Sequence, residues 1–252
     1  MHKRIAILKN QYNNCPYLVL SFPRCGRTWI KFLLGHYISK QFNIKFTRRL
    51  EKNREGIPAI LFRHDYMSCT GHLPWNEYFQ IQDNKKLIFE EEMKKQEIIY
   101  LFRNPLDILF SYYPYLQTIP YTNFIPPVHK DIIDFAHSKE WGLDIIINFL
   151  NTMLDHYEKN TYKKIAIKYE DLKTNGQCWI KLIEFIFDEF DAKHFAYAKQ
   201  QSEFDKLQSQ DGHQKHFRQG RSNYIMDLPK DQQEVLENWP GLLALNKRLE
   251  TL

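Results

Sequence analysis

Tyr17-Leu18-Val19-Leu20-Ser21-Phe22-Pro23-Arg24-Cys25-Gly26-Arg27-Thr28-Trp29 is the stretch on which the fold turns. Its first six residues, Tyr17–Phe22, are almost continuously apolar, the pattern of a strand buried on both faces, as in a parallel sheet. From Thr28 to Gln41 the period changes, and Ile30, Leu33, Leu34, Tyr37 and Ile38 share one face of a helix. Between the two lies a turn with Pro23 and Gly26, the latter one of only nine glycines. A strand-to-helix turn aims backbone N–H groups and the positive end of the helix dipole at one spot, which binds phosphate or sulfate oxygens. Arg24 and Arg27 strengthen it. The turn is not a Walker A loop, because the first Gly and the Lys-Ser/Thr pair of G-x-x-x-x-G-K-[ST] are missing.

Three further runs read as strands: Ile60–Arg63, Ile98–Phe102 and Lys164–Tyr169. Leu143, Ile146, Ile147, Leu150, Met153, Leu154 and Tyr157 repeat at helical spacing. Alternating strands and helices imply right-handed crossovers, hence an α/β fold of three αβα layers with a central parallel sheet flanked by helices. After the third strand, Asn104-Pro105-Leu106-Asp107 carries a helix start, with Asn as N-cap and Pro at the first helical position. Tyr113–His129 then reads as a long Pro-rich, aromatic connection without periodicity, a lid candidate. The stretch from Phe204 to Tyr224 is polar and basic, and Gln232–Leu249 reads as one closing helix. No linker divides the chain, so a single domain over residues 1–252 is expected.

Composition narrows the function. The 252 residues are 26 % charged and 43 % hydrophobic, which excludes a disordered, collagen-like or coiled-coil chain. The net charge of +5 suits an anionic small ligand better than a nucleic-acid track. Four scattered cysteines form no CxxC pair, and no His lies at zinc-ligand spacing from a pair. That predicts a reducing, cytoplasmic setting and no structural metal. The run Ile5–Leu8 is too short for a signal-peptide core. The uncharged stretch between Asp107 and Lys130 is broken by prolines, so no membrane span is expected.

The chain resembles the sulfotransferase family. Ser21 to Trp29 match that family's phosphosulfate loop, [TS]-[YF]-P-[KR]-[SC]-G-[TR]-T-W. Ile98 to Tyr113 match its strand followed by R-[ND]-P-x-D-x-x-x-S-Y-Y, and Tyr169-Glu170-Asp171-Leu172 match [YF]-E-D-L. Phe217-Arg218-Gln219-Gly220-Arg221 is similar to the late basic segment. The resemblance implies a P-loop NTPase-like fold and a donor, 3′-phosphoadenosine 5′-phosphosulfate (PAPS), leaving as the 3′,5′-bisphosphate (PAP). By resemblance Arg24, Cys25, Gly26, Arg27 and Thr28 surround the 5′-phosphosulfate. Arg103 and Ser111, with Arg218 and Gly220, hold the 3′-phosphate, and Trp29, Tyr169 and Phe204 clasp the adenine.

Sulfuryl transfer, like phosphoryl transfer, needs an acceptor held in line, a base for its proton and charge against the departing phosphate. Arg24 is the expected charge, and no metal is required. The family's base is a His just after the second strand, where His64 stands. His72, in Gly71-His72-Leu73-Pro74, also resembles a family form, but strand position favours His64. The acceptor is expected to be a small molecule with a hydroxyl or amine, and the sequence leaves the oligomeric state open. Two rivals share the architecture: a P-loop nucleotide or small-molecule kinase, disfavoured by the missing Walker Lys, and a catalytically inactive nucleotide-binding remnant.

Overall fold

The computed structural model describes residues 15–52, 54–63, 96–117, 129–203, 205–207 and 223–252. Its elements are β1 (Tyr17–Ser21), α1 (Arg27–Gln41), β2 (Ile60–Arg63), β3 (Glu97–Phe102), α2 (Pro105–Leu116), α3 (Ile132–Ala136), α4 (Leu143–Lys159), β4 (Lys164–Lys168), α5 (Tyr169–Thr174), α6 (Gly176–Phe187) and α7 (Ala192–Gln201). A 3₁₀ turn (Tyr224–Asp227), α8 (Lys230–Glu237) and α9 (Leu242–Glu250) follow. The four strands form one parallel sheet in the order β2-β1-β3-β4. Every described crossover returns the chain to the same end, so the C-terminal ends of all four strands share one edge.

Burial follows the hydrophobic pattern. All five residues of β1 are buried, as are Ile98 to Phe102 of β3, because both strands are interior to the sheet. At the sheet edge, β4 alternates buried Ile165 and Ile167 with half-buried neighbours. Helix α1 packs against α7, while α4 packs against β3, α2 and α9. Behind the sheet, Tyr100 places its hydroxyl 2.5 Å from His156 Nδ1 and accepts from Asn160 Nδ2 at 3.1 Å. Lys164 caps the end of α4 by donating to the carbonyls of Tyr157 and Asn160. Burial, then the Lys164 charge, push the His156 imidazole down to about 4, so it sits neutral in this network.

Apart from one-residue shifts at the ends of β1, α1 and β3, three boundaries differ from the sequence expectation. The closing helix is two helices: Pro240 removes a backbone donor, Gly241 turns left-handed at φ 79, and Trp239 Nε1 donates to Asp144 of α4 at 2.7 Å, pinning the break. Tyr169 opens α5 instead of ending β4. The helix after β3 runs on to Leu116 with Pro114 inside it, so Tyr113–Leu116 are helical and not loop. Stacking of Tyr113 on Phe135, with ring centroids 4.9 Å apart, and the Tyr113 hydroxyl donating to the His129 carbonyl at 2.9 Å hold that last turn. Residues 118–128 lie outside the described residues. Among the described residues no helix is long and apolar enough to cross a membrane.

Candidate active site

The turn between β1 and α1 is shaped by two left-handed residues. Arg24 has φ 72 and Gly26, the N-cap of α1, has φ 87. Alternation of this kind curls successive N–H groups around one point. Gly26 is needed for space as well as conformation: a Cβ there would lie 2.3 Å from Cδ2 of Tyr169, whose buried ring crosses the turn. Cys25 is fully buried, and desolvation pushes its thiol up to about 12, so it offers a ligand its backbone and no charge. Arg27 and Thr28, in the first turn of α1, are half-buried.

Arginines from two elements knit this turn to the next strand end. Arg24 Nε donates to Ser111 Oγ of α2 at 3.0 Å, and its guanidinium carbon lies 4.7 Å from the Tyr115 ring centroid. Arg103, buried at the end of β3, donates from one terminal nitrogen to the Arg24 carbonyl at 2.7 Å. The Arg103 guanidinium also lies over the Tyr169 ring, 4.6 Å from its centroid. Burial pushes the Tyr169 phenol up to about 12, against the opposing pull of Arg103, so the ring stays neutral. Arg24, Gly26, Arg103, Ser111 and Tyr169, far apart in sequence, therefore meet at one spot. The expected division into a 5′ and a 3′ anion site is less sharp than the motifs suggest, because Arg24 touches Ser111 directly.

Helix α2 owes its start to Asn104, whose side chain accepts from the N–H groups of Leu106 at 2.9 Å and Asp107 at 3.2 Å. Asn104 in turn donates its own N–H to Glu170 Oε1 at 3.0 Å. Burial raises the Glu170 carboxyl, while the N–H groups of Asn104 and Glu170 and the charge of Arg103 oppose the rise. Lys173 is held below its usual range by burial and then by Arg103. A cleft of about 280 Å³ flanks Arg103 on the β4 side, but Glu170, Asp171 and Glu250 line it, which disfavours an anion there.

The aromatic wall lies beyond Gly26. Trp29 meets Tyr169 edge-on at 5.8 Å and Trp179 at 5.3 Å, and its indole N–H donates to the Ser202 carbonyl at 3.0 Å. Sequence reading missed Ser202. Its hydroxyl is buried with no partner among the described residues, as is that of Ser21 at the end of β1. The signal for Ser202 was its place two residues before Phe204. His64, His72, Phe204, Arg218 and Gly220 lie outside the described residues. Among the described residues no cluster of His, Cys, Asp and Glu could hold a metal ion.

A parallel α/β sheet whose first strand feeds an arginine-flanked, left-handed turn into a helix defines a P-loop-like fold. A family model described as the sulfotransferase domain matches residues 16–226, and the chain belongs to that family of transferases. Among solved structures it is similar to mouse sulfotransferase SULT7A1 complexed with PAP, at 14 % identity and a TM-score of 0.58, over 95 % of this chain and 90 % of that one. That likeness extends the shared fold across nearly the whole chain. No curated protein sequence matches it.

Proposed function

We propose that the chain moves a sulfuryl group from PAPS to a hydroxyl or amine of a small acceptor, as a single domain over residues 1–252 acting in the cytoplasm. The observation that carries this reading is the junction of Arg24, Gly26, Arg103, Ser111 and Tyr169, which gathers two cations and a curled backbone beside an aromatic wall. Such a junction suits a nucleotide whose ribose carries anionic groups at both its 5′ and its 3′ position, with the base against the aromatic wall. The buried Ser202 hydroxyl beside Trp29, which has no partner among the described residues, fits the polar edge of a purine. PAPS, when bound, supplies an activated sulfuryl group and leaves as PAP.

In this reading the backbone of Arg24 to Thr28 and the side chain of Arg27 hold the 5′ end. Arg103 and Ser111, with Arg218 and Gly220, hold the 3′-phosphate, and Trp29, Tyr169 and Phe204 enclose the adenine. The acceptor oxygen or nitrogen bonds to sulfur as the bond from sulfur to the phosphate oxygen breaks, and the acceptor proton passes to His64. Arg24 offsets charge growing on the departing phosphate and stays protonated throughout. Family membership weighs against the kinase reading. Calorimetry tests the ligand: PAP is expected to bind more tightly than AMP or ATP with Mg²⁺, and a preference for ATP would overturn the proposal. Transfer from labelled donor across phenols, alcohols, amines and sugars tests the chemistry, and no turnover with any of them would leave a binding remnant.

A further inference from the structure

Asp107 stands one helical turn before Ser111 on α2 and four residues after Arg103, so an acid lies between two groups assigned to the 3′-phosphate. It is buried, at 3 % exposure. At the third position of a helix an acid commonly reaches back to the N–H of its own N-cap. Here that N–H, of Asn104, is already taken by Glu170. The Asp107 carboxylate turns outward instead: Oδ1 accepts from the N–H of Asn223 at 2.9 Å and from that of Tyr224 at 3.5 Å. Asn223 is left-handed, at φ 63, which lets two successive N–H groups face one oxygen. Phe110 of α2 stacks on Tyr224, with centroids 6.1 Å apart, and completes the attachment.

We infer that Asp107 is a positioning residue of the 3′-phosphate subsite. Its carboxylate ties the chain at Asn223–Tyr224 to the helix that carries Ser111. The two N–H groups in turn cover a negative charge that would otherwise repel a phosphate between Arg103 and Ser111. This inference rests on the proposed donor, and its test is separable from that proposal because it compares two nucleotides on the folded full chain.

The measurement is the ratio of PAP to AMP affinity by calorimetry, since AMP lacks the 3′-phosphate. Asp107→Ala is expected to weaken PAP about tenfold or more, the scale of hydrogen bonds to a charged group, and AMP less than twofold. Asp107→Asn keeps an accepting oxygen and is expected to restore the parental ratio. From the other side of the bond, Asn223→Val disfavours the left-handed backbone and should lower the ratio, whereas Asn223→Gly should leave it unchanged. The Asn223 pair also decides the matter if Asp107→Ala does not fold. A parent that does not prefer PAP to AMP defeats the donor proposal itself. A parent that prefers PAP, with Asp107→Ala or Asn223→Val keeping its full preference, overturns the positioning role, as does an Asp107→Asn variant no better than Asp107→Ala.

Discussion

Replacing Gly26 by Ala tests whether the loop's shape and the ring behind it act as one unit. Two costs are separable. A left-handed backbone at φ 87 costs an L-residue about 1–2 kcal/mol, paid by the folded protein whether or not a ligand is bound. The new Cβ would also meet Cδ2 and Cε2 of Tyr169 at 2.3 and 2.4 Å, so the ring must retreat by about 1 Å to reach ordinary contact near 3.5 Å. That ring carries Arg103 on its face, an attraction of about 0.5–2 kcal/mol, and its retreat displaces the guanidinium assigned to the 3′-phosphate. The expected sum is a loss of roughly 2–4 kcal/mol in urea unfolding and a drop of about 10- to 100-fold in PAP affinity. Gly56→Ala is the matched control, since Gly56 has φ 70 but nothing within 4 Å of the added carbon, so it should show the backbone cost alone. If Gly26→Ala loses no more stability than Gly56→Ala and binds PAP within twofold of the parent, the account of the Tyr169 ring is wrong.

Arg103→Ala should weaken PAP by about 1.5–3 kcal/mol, and AMP by less, since AMP loses only the support that Arg103 gives the Arg24 carbonyl, read by calorimetry. His64→Ala is expected to cut turnover about 10² to 10⁴-fold with PAP affinity intact, and His72→Ala to cost far less; a collapse on His72→Ala would move the base there. Stability should fall with acid through His156. Its folded pKa of about 4 lies below the ordinary 6.5, so the unfolded chain takes up the proton first and stability drops as pH falls from near 6.5 toward 4. Urea midpoints across that range should show the slope, and His156→Leu should flatten it.

Much of the strand, turn and cap that frame the candidate site was legible because their signals are local. Pro23, Gly26 and the apolar run before them announce a buried strand and a turn whatever surrounds them, and Asn104-Pro105 announces the cap of α2. The closing helix was misread because apolar residues keep helical spacing on both sides of Pro240-Gly241, and the deciding anchor, Trp239 on Asp144, is a contact across 95 residues. Asp107 has the same character: nothing within one helical turn says that its partner is Asn223, 116 residues on. Pro114 argued for a loop, but packing of Tyr113 on Phe135 outweighs the lost donor. Local propensity located the groups, and contacts distant in sequence set where they point.

The bond from Arg103 to the Arg24 carbonyl joins residues 79 apart. The nine residues Ser21 to Trp29 are therefore not a portable motif: grafted onto another strand-to-helix turn, they would lack the guanidinium that holds a left-handed arginine and the ring that Gly26 accommodates. The binding shape can appear in folding only after β3 has docked beside β1 and Tyr169 has followed β4 into place. Anion affinity should thus develop with the completed sheet and be absent from any earlier species, making ligand capture a late event on the pathway.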